Sequence, residues 1–358
     1  MILKRVFAVG LFATVPLAQA QSRVTLYGIV DAGIQYYNNA AAGGAVVGMP
    51  ALTGEMPSRW GLRGEEDLGG GYKAGFVLEN GFAPATGMLN YGGRLFGRQA
   101  NLSVSGGFGT VTLGRQMNMT MYALSSADNI GPSIHSMASV DTYIPNARSD
   151  NAIGYLGSFR GFKLGATYSF GRDAAGPAGP SSTNCGGQTP GDPVACRQYT
   201  LLAGYDNARF GVAAAYDVMH GGNGAAAPLS NPGYTDTHVV VDGYLKLGSA
   251  KIGAGWVRRN IAALENAQSD LWFLGASYVV TPAFSVDAQG LRYILHSHSD
   301  STMVIGRLNY LLSKRTTVYT SIAYVINSRL GNAPVAAGGT VQTGKNQLGV
   351  MAGIQQRF

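Results

Sequence analysis

From Val24 onward, apolar and polar residues alternate in short runs broken by Gly-rich turns. In VTLYGIVDAGIQY, Val24, Leu26, Val30, Ala32, Ile34 and Tyr36 share one face, and Thr25, Tyr27, Asp31 and Gln35 share the other. A period of two marks a strand, because successive side chains point to opposite sides of the pleat. This run has the length that a tilted membrane-spanning strand needs. The same sidedness returns in Phe162, Leu164, Ala166, Tyr168 and Phe170, and again in Phe210, Val212, Ala214, Tyr216 and Val218. Val304, Gly306, Leu308, Tyr310 and Leu312 likewise oppose Arg307 and Asn309. A soluble sandwich carries the same alternation with its apolar face inward, so no single strand separates the two.

The connections do separate them. Tight turns fall at 66–71, 106–109, 159–161, 206–208, 248–250, 281–283 and 313–315. Longer loops fall at 38–57, 83–93, 116–147, 171–195, 221–235, 259–268, 296–301 and 327–345, so that the two sets join sixteen strands. An even strand number with short turns at one end and long loops at the other is the outer-membrane barrel pattern. The prediction is an all-β chain, a 16-stranded antiparallel transmembrane β-barrel over 21–358 with no internal domain boundary. The last strand places Leu348, Val350, Ala352, Ile354 and Phe358 on one face, interrupted only by Gln356. A chain ending on an aromatic in the apolar phase resembles the assembly signal of such barrels, which gives Phe358 that role.

Between Arg115 and Arg148 the alternation stops over QMNMTMYALSSADNIGPSIHSMASVDTYIPNA. A structureless connection of this length is functional or disordered in most proteins. Recurrent Met, Ile, Leu, Tyr and Val with little charge argue against disorder. The stretch reads as a loop folded into the barrel, with a solvated surface loop as the alternative.

Composition agrees with this picture. Charged residues are 13% of the 358, Gly numbers 52 and Tyr 19, against a usual charged share of roughly 25%. The N-terminus has the layout of an export signal: Lys4 and Arg5, an apolar run from Val6 to Val15, then Ala18-Gln19-Ala20 before a mature start at Gln21. Loss of Lys4 and Arg5 takes the formal charge from +7 to +5. With no polybasic run, nucleic acid is not an expected partner. Cys185 and Cys196 are the only cysteines. In an exported chain, such a nearby pair reads as a disulfide, and as a zinc site it is short of ligands.

Several stretches together resemble the trimeric general porins of Gram-negative bacteria, in their betaproteobacterial branch. They are VTLYGIVDAGI, SRWGLRGEEDLGGGYKAGFVLENGF, RLFGRQANLSVSGGFGTVTLGRQ, ARSDNAIGY, LNYLLSKRTTVYTSIAYV and the terminal GIQQRF. The resemblance implies a homotrimer in outer-membrane lipid and lipopolysaccharide, inserted by the barrel-assembly machinery, with the third loop entering each pore. It also implies small hydrophilic solutes and anions as cargo and no cofactor or metal. Two departures stand out. Loop 83–93 has no carboxylate to latch a neighbouring subunit, and the carboxylates of the inward loop, Asp128 and Asp141, stand apart.

By the same resemblance, Arg59, Arg115 and Arg148 match a basic cluster on the pore wall, with Arg63 as a fourth member. Arg98 and Arg258 are assigned to the membrane interface. Arginine stays charged at every working pH, and such groups in a narrow lumen attract anions. Asp128 and Asp141 would face them as the acidic half of a constriction. Asp128 in ADNIGP also suits a turn that bonds its own backbone. The rival classes are a barrel enzyme of lipase or protease type, which needs a base beside a nucleophile, and a barrel adhesin. The histidines are His135, His220, His238, His296 and His298, and of these His135 stands next to Ser133 and Ser136.

Overall fold

The computed structural model describes residues 23–176 and 182–358. The expected leader, 1–20, lies outside them. The strands are β1 (Arg23–Tyr37), β2 (Val46–Gly48), β3 (Arg59–Gly69), β4 (Tyr72–Gly81), β5 (Gln99–Gly106) and β6 (Gly109–Met117). They continue with β7 (Arg148–Phe159), β8 (Phe162–Ser169), β9 (Gln198–Asp206), β10 (Phe210–His220), β11 (Thr235–Leu247) and β12 (Ala250–Ala262). The wall ends with β13 (Ala267–Thr281), β14 (Phe284–Leu295), β15 (Ser299–Leu311), β16 (Thr316–Asn327) and β17 (Gln347–Arg357). From β3 onward each strand pairs antiparallel with the next in sequence. The three-residue β2 only caps one end of β1, so the wall is the expected closed barrel of sixteen long strands.

Closure falls on β1, which is shared along its length. Arg23–Ile29 pairs with β3 and Ile29–Tyr37 pairs with β17. Phe358 extends the seam, exchanging backbone hydrogen bonds with Gly28 in both directions at 3.1 Å. Hydrocarbon offers the backbone no partner, so a spanning sheet has to close in this way. A Cβ on Gly28 would sit 2.4 Å from the Phe358 ring and 2.7 Å from the Arg59 carbonyl, so only glycine lets the terminal ring lie there.

The sidedness read from the sequence is realised outward. Val24, Leu26 and Ile34 are 65%, 58% and 63% exposed, while Asp31 between them is buried. Aromatic contacts gather near both ends of the strands, with Tyr72–Phe108 and Phe162–Tyr205 near the turns and Tyr168–Phe170 and Trp256–Trp272 near the loops. Two such girdles flank the apolar band of a transmembrane barrel.

Two of the expected long loops are short. The stretches 259–268 and 296–301 shrink to turns at 263–266 and 296–298 because the strands run on through them. The charged residues that suggest loop there are cross-strand partners. Arg258 lies directly opposite Asp270 and bonds it twice, both at 2.9 Å. Arg259 reaches across to Asp236 at 2.7 Å. Elsewhere, Cys185 and Cys196 form a disulfide. It closes a segment within the single connection between β8 and β9, and the Cys196 amide then donates to the Gly221 carbonyl of the next long loop.

The main apolar core sits inside the barrel. Met119, Ile130, Ile134 and Met137 of the third long loop pack against Leu202, Val257, Leu271, Met303, Ile305 and Met351 of the wall. The loop therefore folds inward, as its composition indicates. Gly28→Val should lower folding stability in lipid vesicles by about 1–3 kcal/mol, the usual cost of overpacking. Gly48→Val, where a Cβ meets nothing within 4 Å, should leave it unchanged. Urea titration of the heat-modifiable gel band measures both, and equal stability of the two variants would remove the closure role of Gly28.

Candidate pore constriction

The inward loop begins with helix α1 (Met119–Ala127), capped by the Asn118 side chain accepting from the Met121 amide. Its first turn is anchored by Asp217 of β10, a buried carboxylate that accepts from Asn118, Thr120, Tyr143 and Gln198. Four donors on one carboxylate satisfy a group that would be costly to bury alone. The loop's tip is held on the far wall. Arg307 donates to the carbonyls of Asn129 and Ile130 at 3.1 and 3.0 Å, and Asn129 donates to Lys251 and Ser277.

Asp128 makes the turn that its sequence context suggests. Its Oδ1 accepts from the Ile130 and Gly131 amides and from Gln289 of β14. Asp141 is buried, 3.1 Å from His238 and 3.4 Å from Arg259, and it also accepts from the Tyr143 amide. Burial alone would raise the Asp141 carboxyl, but Arg259 and His238 outweigh it and hold the group well below the usual carboxylate range. Both acids thus fasten the loop to the wall.

His135 is also seated, its Nδ1 2.9 Å from Ser321 Oγ on β16. Burial pushes its imidazole down to about 4. It therefore bonds the wall rather than either neighbouring serine.

Opposite the loop, the arginines gather at the start of β3, just before β5 and at the start of β7. Arg98 donates from Nε to Glu79 at 2.7 Å and from Nη1 to the Tyr91 hydroxyl at 2.6 Å. Arg59 lies 3.8 Å from the same carboxylate. Arg148 places its guanidinium 5.2 Å from the Tyr91 ring centre and Arg98 does so at 5.7 Å, within cation–π range. Arg63, further along β3, lies over Tyr27, whose hydroxyl donates to Glu79. Glu79 is thus shared by Arg59 and Arg98, while Arg148 stands on the Tyr91 ring beside Arg98 and Arg63 approaches only through Tyr27. Burial would raise the Tyr91 phenol, but Arg98 and Arg148 prevail and lower it.

Arg115 stands beside this group, close enough to act on Arg148, but its own charge is paired. The β6–β7 ladder shifts register between Gly114 and Gln116. Gly114 has φ 114°, a conformation that favours glycine. Arg115 turns to the Gly97 carbonyl and pairs with Asp150, which Arg94 also holds. Arg98, assigned to the interface from strand parity, lies inside instead. It precedes β5, which begins at Gln99, so the alternation does not govern it. Glu79 is legible in the sequence, since it opposes outward Phe76 and Leu78 in phase. The part played by Tyr91 carries no sequence signal.

A closed barrel of lipid-length strands with an internal loop facing a basic wall is the architecture of a membrane channel. The chain belongs to the Gram-negative porin family, whose pattern matches residues 6–330. It is 34% identical to Outer membrane porin protein 32 of Delftia acidovorans over 376 residues, covering 99% of each chain. It is 35% identical to an outer membrane porin protein of Bordetella pertussis over 238 residues, covering 58% of this chain and 57% of that one. The anion-selective porin from Comamonas acidovorans superposes with a TM-score of 0.79 at 29% identity, covering 94% of this chain and 100% of that one. The protein is a multi-pass outer-membrane porin.

The seating of the loop should depend on pH through His135. Its folded value lies below its ordinary 6.5, so its contribution is complete above pH 6.5. That contribution is lost as the pH falls toward about 4. Open-channel current noise should grow over that window in wild type and stay flat in His135→Gln. Identical pH profiles would dismiss the role of His135. Asp141→Asn should make the current noisy at neutral pH, because breaking a buried pair costs about 3–5 kcal/mol locally.

Proposed function

We propose that the protein is an anion-preferring general diffusion channel for small hydrophilic solutes, exported after removal of residues 1–20 and assembled as a homotrimer. The observation that carries the selectivity is the wall where Arg59 and Arg98 share one carboxylate, Glu79, and Arg148 and Arg63 lie on the rings of Tyr91 and Tyr27. Two unit charges 4 Å apart interact by about 1 kcal/mol in water and about 4 kcal/mol at an effective dielectric of 20. A narrow, water-filled section lies between these limits. One unbalanced guanidinium therefore biases permeation several-fold toward anions. Of the loop's own acids, Asp141 is already matched by His238 and Arg259, which leaves Asp128 alone against the basic group.

The anion preference of the Comamonas acidovorans porin supports the same reading. For the trimer, support comes from the resemblance and from an outer-wall hollow lined by Val24, Phe76, Leu102, Val104, Val111 and Leu113. A second copy would cover that apolar surface. The relatives are channels, and the chain is read as a channel rather than an enzyme.

The zero-current potential across a KCl gradient tests the proposal. Wild type should prefer chloride, more strongly at low salt, where the Debye length exceeds about 10 Å. Arg148→Ala should reduce the preference at least two-fold, while Arg115→Ala, whose charge is matched by Asp150, should leave it nearly unchanged. Cation preference in wild type would end this reading. Deleting part of 118–147 should raise single-channel conductance in material that still folds.

A further inference from the structure

Four long loops, those containing Leu52, Tyr91, Pro145 and Ala337, enclose a cavity of about 200 Å³ beside the arginine group. Its lining is mainly apolar, with Thr53, Asn90, Thr142 and Asn146 as the polar members, although the mouth of a water-filled channel would ordinarily be wet throughout. Leu52 and Pro57 come from the first loop, Tyr91 from the second, Pro132 and Pro145 from the inward loop, and Ala337 from the last. Tyr91 is held at φ 57°, a conformation uncommon for a bulky residue. Backbone in such a region persists only where the surroundings fix it. Here Tyr91 lines the cavity, and its ring also carries the guanidiniums of Arg98 and Arg148 at 5.7 and 5.2 Å.

Arg148 connects the two environments. Its Nη1 donates to the carbonyl of Pro145, a lining residue, and its Nε donates to the carbonyl of Arg98. Among the described residues, its Nη2 donates to none. An apolar hollow and an uncommitted cationic donor therefore lie side by side.

We propose that this cavity is a binding subsite for small monocarboxylates with a compact apolar or aromatic body, on the way to the constriction. The body lies against Leu52, Pro57 and Pro145, edge or face to Tyr91, and the carboxylate meets Arg148. The cavity is smaller than the roughly 300–1,000 Å³ of drug-sized sites, so a single ring or short branched chain fills it. A hydrophilic anion of equal charge gains only the electrostatic half of this interaction. The subsite would thus enrich amphipathic acids over chloride or acetate without changing the fold of the pore. This inference rests on the anion-preferring reading above, and the two can fail separately.

The test uses the full protein in planar bilayers, with the zero-current potential recorded first. 3-Phenylpropionate, acetate and the neutral 3-phenylpropanol are then added on the long-loop side. Phenylpropionate should interrupt the chloride current reversibly at about ten-fold lower concentration than acetate, the scale of a small apolar group in a fitted pocket. The alcohol should not interrupt it at that concentration. Leu52→Ser, a loop residue outside the arginine group, should raise the half-blocking concentration about three-fold and leave the zero-current potential at the wild-type value. Equal block by acetate and phenylpropionate, equal block by the alcohol, or no effect of Leu52→Ser would overturn the subsite. Selective block by phenylpropionate in a channel without anion preference would uphold the subsite and overturn the selectivity proposal.

Discussion

The seating of the third loop against the inner wall is the constraint on which the pore depends. Without it, a barrel of this strand number encloses a wide aqueous hole with no narrow section. The seating combines two kinds of force. Met119, Ile130, Ile134 and Met137 bury apolar surface against wall residues that face inward, each gaining about 1.5–3 kcal/mol. That gain holds the loop on the wall but does not fix its direction. Direction comes from hydrogen bonds at three points: Asp217 at the helix start, Arg307 and Gln289 at the tip, and His238 with Arg259 around Asp141.

This arrangement explains the division of charge. An acid in the lumen presents its field to passing solutes unless a cation pairs it. Asp141 is paired by His238 and Arg259, whereas the amides and Gln289 that hold Asp128 leave its charge in place. The guanidiniums across the channel are differently placed. Glu79 is shared by Arg59 and Arg98, and Arg148 is stabilised by carbonyls and a ring rather than by a carboxylate. Guanidiniums therefore outnumber carboxylates in this group, although the chain as a whole carries only a modest positive charge.

The outer wall inverts the logic of a soluble protein. Leu26, Ile34 and Val304 are exposed while Asp31, Asp217 and Gln289 are buried. In water this would be a large apolar patch and an association hazard. In hydrocarbon it is the stable arrangement, because every strand finds hydrogen-bond partners on both sides once Phe358 meets Gly28.

The strands, their sidedness, the turn end and the inward loop can all be read along the chain. Each rests on local periodicity or on the composition of one segment, so no distant residue is needed to see it. The connections at 263–266 and 296–298 are shorter than the sequence suggests, because residues such as Arg259 and Gln268 look like loop until they are set in a ladder opposite Ser269 and Asn260. Membership of the basic group, by contrast, depends on how distant segments meet. Arg98 enters it because it stands just outside β5, and Arg115, beside the group, is drawn into a pair with Asp150 at the register shift next to Gly114. Strand parity predicts direction only inside an unbroken ladder, and both residues sit where the ladder breaks. Tyr91 and its place between two guanidiniums depend on a loop path that no local pattern encodes.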